Sequence, residues 1–131
     1  MYNPDVPIPR DPRRLADAAA ASLPPMVHAY YAGGAEDEAT LAENERAWKR
    51  LRLRPRALVD IHDTDVSATV LGTRVSAPLL LAPAALQRLV HPDAEVGSTR
   101  AAARAGLVAV VSTTGSQSLE EIAAASDGPR W

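Results

Sequence analysis

The 131-residue chain is 47% hydrophobic, contains no cysteine and carries a formal net charge of −2. That charge leaves no domain-wide basic field for nucleic acid, and a chain without cysteine has no disulfide framework, zinc–thiolate site or thiol nucleophile. The length suits one globular domain with a modest core, a lean one because alanine supplies many of the apolar residues and phenylalanine is absent.

The first residues, MYNPDVPIPR, lack the basic start and apolar run of a signal peptide. The longest apolar stretch, Ala77 to Leu86, is too short for a membrane span and contains two prolines. A soluble chain in the reducing cytoplasm is the expectation. Asp11 before Pro12 reads as an N-cap with proline at the first helical position, opening an alanine-rich helix that ends before Leu23-Pro24-Pro25. A second short helix, Met26 to Ala32, should close at Gly33-Gly34, where glycine can take the left-handed conformation of a helix end. From Ala35 to about Leu51 the charges sort by position. Glu36, Asp37 and Glu38 lead while Arg46, Lys49 and Arg50 trail, as the macrodipole of a third helix favours.

Ala57 to Ser76 is rich in β-branched residues and has a turn at Leu71-Gly72-Thr73, which predicts short strands or a hairpin. Pro78 to Pro83 is a continuous apolar run of the kind found in a parallel strand covered on both faces. A helix over Pro92 to Ala105 follows, with Asp93 and Glu95 early, Arg100 and Arg104 late and Gly106 as the stop. Val108 to Val111 is a second apolar strand, and strand, helix and strand make a right-handed βαβ unit. Ser118 with Glu121 forms a capping box for a helix to about Ala125. The turn Ser126-Asp127-Gly128-Pro129 then leads into a third strand at Arg130-Trp131. Two or three parallel strands cannot close a barrel, so the fold expected is an interrupted one.

In α/β barrels, sites form where strands run out into loops. Here those loops are Pro83-Ala84-Ala85-Leu86-Gln87 and Ser112-Thr113-Thr114-Gly115-Ser116. Small side chains at the first would admit a flat ligand to the backbone, and a hydroxyl at the second offers a hydrogen bond to a ring heteroatom; small residues also simply fit tight loops. His28, His62 and His91 form no metal-ligand pair at helical spacing, so no metal site is expected, and His91 before Pro92 belongs to a helix start. The run RAWKRLRLRPR, Arg46 to Arg56, reads as a solvated face whose first half ends an acidic-to-basic helix. Tyr30 and Tyr31 flank the glycine pair, where a phenol either packs or reaches a pocket.

Five strings occur in order: LPPMVHAYYAGGAEDEATLAENERAW, LRPRALVDI, TVLGTRVSAPLLLAPAALQRLVHPDAE, TRAAARAGLVAVVST and SLEEIA. From about Leu23 to Trp131 they resemble the FMN-dependent 2-hydroxy-acid oxidases and dehydrogenases, the family of glycolate oxidase, lactate dehydrogenase and the mandelate-oxidising enzymes. The resemblance implies an α/β fold: an N-terminal helical extension, residues 1–22, then part of the family domain, residues 23–131. That part would hold the first two to three strands of an incomplete TIM (β/α)8 barrel, beginning at about residue 78. It implies FMN as cofactor, a small 2-hydroxy acid as substrate, hydride transfer from the substrate's 2-carbon to the flavin, and a homo-oligomer in the full-length family. By motif match, Tyr30 corresponds to the tyrosine that hydrogen-bonds the substrate carboxylate. Pro83, Ala84 and Ala85 match the loop along the flavin, and Ser112 matches a flavin-contacting serine.

The departures also carry expectations. The family usually has threonine at Ala84, and a hydroxyl contact to the flavin would be lost there. Thr114 stands where several oxidases have a tryptophan, which implies a roomier pocket and favours an aryl or branched substrate over glycolate. Ala94 replaces a common glycine, a change that inside a helix is harmless or helpful. The family's flavin-binding glutamine, second substrate tyrosine, flavin-facing lysine, catalytic histidine and substrate arginines all fall beyond Trp131, so no catalytic base is identified among these residues. A barrel of this class takes about 250 residues, and the alternative to a partial enzyme is a non-catalytic or split-protein module that needs a separate C-terminal part. A small nucleotide-binding or scaffold domain unrelated to flavins would require the five ordered strings to be coincidental.

Overall fold

The computed structural model describes residues 11–131, and the segment MYNPDVPIPR lies outside the described residues. Those residues fall into two compact units, 11–63 and Thr64–Trp131.

In the first unit, helix α1 spans Pro12–Ser22 and is opened by Asp11, whose side chain accepts the Arg13 N–H at 3.0 Å. Helix α2 spans Pro25–Ala32. It does not end in a left-handed glycine: Gly33 is extended at φ −76° and its N–H bonds Ala29 O at 3.0 Å. Glycine serves there by close approach, since a Cβ would lie 2.9 Å from that carbonyl. Helix α3, Ala39–Arg50, starts four residues later than the charge pattern predicts. Glu36 and Glu38 are left-handed, at φ 48° and 59°, so the acidic trio forms the turn before the helix. Within that turn the Asp37 carboxylate accepts the Ala39 N–H and the Glu38 carboxylate accepts the Gly34 N–H. At the other end Lys49 and Arg50 stand in the last turn, where the macrodipole favours them, and Arg52 beyond the helix donates to the carbonyls of Lys49 and Leu51. Residues 57–67 form no strand. Asp60 and Asp65 accept the N–H groups of His62 and Ser67, and such local bonds compete with a ladder.

The second unit opens with the hairpin β1 (Ala68–Val70) and β2 (Thr73–Val75), paired Ala68 to Val75 and Val70 to Thr73. Its two-residue turn has positive φ at both Leu71 and Gly72, the tight form whose twist matches the strands. Strand β3 (Leu80–Leu81) pairs in parallel with β4 (Val108–Ala109), and α4 (Ala94–Arg104) crosses between them. Gly106 stops α4 at φ +67°, and its carbonyl accepts the Ser76 N–H at 2.9 Å. Helix α5, Leu119–Ala124, carries both halves of the Ser118–Glu121 capping box. After it the chain returns beside β4 through a parallel bridge from Ala109 to Arg130, in the sequential order of a β/α repeat.

Among the described residues the buried apolar side chains are Val75, Ala94, Ala102, Val108, Ala109 and Ile122, half of them alanines. The run expected to be covered on both faces is covered on one: Leu79 and Leu81 remain 63% and 40% exposed. No closed barrel is present among the described residues, and no described helix is long and apolar enough to cross a membrane.

Candidate functional site

The parallel register sets the site. Val110 N–H bonds Leu81 O at 2.9 Å, so the chain leaving β3 and the chain leaving β4 run side by side into their loops. Pro83 and Ala84 are exposed, Ala85 and Ser112 half-buried. Leu86 turns the first loop through a left-handed conformation at φ 52°, and its N–H bonds Thr114 O at 3.1 Å in the second. The Ser112 hydroxyl accepts the Thr114 N–H at 3.2 Å and pairs with the Thr114 hydroxyl at 3.2 Å.

Both loops are tied to the start of α4. Glu95 is 3% exposed, and its Oε1 accepts the N–H of Gln87 at 3.2 Å and that of Ser116 at 2.8 Å. The Gln87 side chain donates to Ala84 O at 3.1 Å and accepts from the Ser98 hydroxyl. Arg88 N–H bonds the Ser116 hydroxyl, and Val96 N–H bonds the Gln117 side-chain oxygen. A cavity of about 10 Å³ lies between strands and helix, lined by Glu95, Gln87, Ser98, Val110 and Ser112 among others. It has no room for an aromatic ring, so a flat ligand would lie on the outer ledge, not inside. Burial acts to raise the Glu95 pKa, but the N–H groups of Ser116, Glu95 itself and Gln87 and the Ser116 hydroxyl outweigh it, leaving it below its ordinary value.

Tyr30 lies in the other compact unit, on α2, 55% exposed and edge-to-face with Tyr31 at 5.1 Å between ring centroids. His91 sits just before α4, where its Nδ1 accepts the Asp93 N–H at 3.1 Å, an assignment to the helix start and not to a base.

The family model for FMN-dependent dehydrogenases matches residues 19–131. The chain belongs to the FMN-dependent dehydrogenase family. Its relatives include glycolate oxidase 1 of Oryza sativa subsp. indica, 46% identical over 113 residues, and glycolate oxidase of Spinacia oleracea, 43% identical over the same length. Each alignment covers 86% of this chain and 31% of the relative, so the chain spans about a third of the curated relatives it matches. Among solved structures, a soluble mutant of the membrane-associated (S)-mandelate dehydrogenase from Pseudomonas putida superposes with a TM-score of 0.85 at 37% identity, covering 91% of this chain and 34% of that one. A mandelate oxidase crystallised with 3,3-difluoro-2-hydroxy-3-phenylpropionic acid gives 0.85 at 39% identity, covering 91% and 36%.

Within this member of the FMN-dependent dehydrogenase family, Pro83, Ala84 and Ala85 follow β3 and Ser112 follows β4, at the same end of the parallel pair. Sequence reasoning missed Glu95, which it treated as a dipole partner in a helical first turn. A carboxylate at that position is ordinarily exposed, and only the meeting of two loops from different strands buries this one. The available signal was its place between two predicted strand-end loops rich in small residues.

Proposed function

We propose that this chain forms the N-terminal part of an FMN-dependent 2-hydroxy-acid oxidoreductase and supplies one edge of the flavin site. The observation that carries this reading is the side-by-side exit of β3 and β4, which sets the Ala84 loop beside Ser112. An exposed ledge of proline and alanine fits the edge of a flat heterocycle, and the Ser112 hydroxyl fits a ring heteroatom. Tyr30 is assigned the substrate carboxylate, to which its phenol donates a hydrogen bond. Bound FMN would take the hydride from the substrate's 2-carbon while a base takes the hydroxyl proton, giving the 2-oxo acid. That base is assigned to residues beyond these 131, as is the remainder of a (β/α)8 barrel. The same reading takes residues 23–131 as family domain after a 22-residue extension, places the protein in the cytoplasm and makes the complete protein a homo-oligomer.

Titrating the chain with FMN and following quenching of flavin fluorescence tests the cradle. Saturable binding that Ser112→Ala weakens supports it, and no quenching by the chain, either alone or mixed with a separately made C-terminal part, overturns it. Turnover of glycolate and mandelate by the complete protein, lost in Tyr30→Phe without loss of flavin, tests the substrate assignment.

A second reading, a module that pairs with a separately made C-terminal part, is favoured by the uncovered Leu79 and Leu81. A chain that takes up FMN only after mixing with that part supports it.

A further inference from the structure

Glu95 is the one buried carboxylate among the described residues, and nothing cationic pairs with it. Its Oε2 is buried with no hydrogen-bond partner. Burying a carboxylate with one oxygen unsatisfied costs free energy, so a group kept in this state calls for a compensating role.

Its other oxygen sits at the centre of a connected set of bonds. Glu95 Oε1 holds Gln87 N–H from the loop after β3 and Ser116 N–H from the loop after β4. Gln87 in turn holds the Ala84 carbonyl, and Arg88 N–H holds the Ser116 hydroxyl. On the far side Leu86 N–H reaches Thr114 O, and Thr114 N–H reaches the Ser112 hydroxyl. Glu95 is therefore one acceptor shared by both loops assigned to the flavin, anchored on a helix instead of on either loop. Resting on that assignment, we infer that Glu95 is a positioning residue that fixes the separation between the Ala84 ledge and Ser112 without touching the flavin.

This role needs an acceptor, not a charge. Glu95→Gln retains an amide oxygen for the two N–H groups and keeps FMN affinity within about threefold of wild type, whereas Glu95→Ala weakens it by about tenfold or more, as expected when the support of a binding group is removed. Two measurements on the full chain test this: FMN affinity by fluorescence quenching, and amide hydrogen exchange at Gln87 and Ser116. In Glu95→Ala both amides should exchange faster, and in Glu95→Gln they should stay protected. Ile122→Val, a core change off this network, serves as the stability control: it lowers the melting temperature but leaves FMN affinity unchanged.

Glu95→Ala binding FMN as tightly as wild type, or losing no more affinity than Ile122→Val, overturns the inference and leaves the flavin reading standing. Unchanged exchange at Gln87 and Ser116 in Glu95→Ala overturns it as well. Wild type that takes up no FMN, either alone or mixed with a separately made C-terminal part, overturns the flavin reading itself, a failure visible before any variant is compared.

Discussion

Gly128 passes so close to helix α4 that a Cβ on it would lie 2.5 Å from the Ala103 Cβ and 3.0 Å from the Ala103 Cα. The contact comes just before Arg130 bridges to Ala109, so it governs how the returning chain meets β4. Gly128→Ala must push the turn away from the helix, at a cost of about 1–3 kcal/mol typical of overpacking. Thermal melts should show the loss. Pairing it with Ala103→Gly should recover part of it, so that the double variant is less destabilised than the sum of the single ones. Strict additivity would show that the contact is not the cause.

Ala94 gives a prediction of opposite sign to the sequence-based one. Read as a helix-interior position, a change to glycine costs about 1 kcal/mol. The structure places Ala94 at φ 45°, a conformation that costs a side chain about 1–2 kcal/mol. Ala94→Gly relieves that strain while giving up one buried methyl, and the expected result is a melting temperature equal to or above wild type. A clear drop would refute the left-handed assignment.

The capping box makes a pH prediction. The Ser118 N–H, then its hydroxyl, hold the Glu121 carboxyl below its ordinary value of 4.5. A carboxylate with a lowered folded pKa contributes stability that is fully present above its unfolded value and fades as pH falls through the folded one. Glu95 has the same sign. Melting temperatures of wild type should therefore fall as pH drops below about 4.5, and Glu121→Gln should flatten part of that fall. Ser118→Ala should cost about 1 kcal/mol at neutral pH through loss of the cap.

Thr114 bears on substrate choice in the proposed enzyme. Its hydroxyl is turned to Ser112, and the residue is exposed at the loop. Thr114→Trp in the complete protein should lower kcat/KM for mandelate relative to glycolate by about tenfold, the range expected of a pocket contact. An unchanged ratio would remove Thr114 from the pocket.

Features specified by neighbouring residues were legible in the sequence. Asp11 with Pro12, Ser118 with Glu121, and Gly106 after α4 each act through bonds a few residues long, and each stands where the spacing puts it. The apolar runs revealed both parallel strands, though not their short lengths. Positions decided by distant contacts were not legible. Ala94 is left-handed against its propensity, and Glu95 is buried because loops after two different strands converge on it. The acidic trio misled for a local reason: side-chain bonds of Asp37 and Glu38 stabilise a turn that a charge pattern cannot tell from a first helical turn.

The bonds that hold the ledge together all close within one stretch of chain, from Ala84 to Gln117. Gln87 lies 8 residues from Glu95, Ser116 lies 21 from it and 28 from Arg88. Each doubling of such a loop adds only about 0.6 kcal/mol to the entropy cost of closing it, and the N-terminal part of a chain leaves the ribosome first. The candidate ledge thus needs no residue beyond Gln117 for its internal bonds, so a growing chain holds every group those bonds use once Gln117 has left the ribosome.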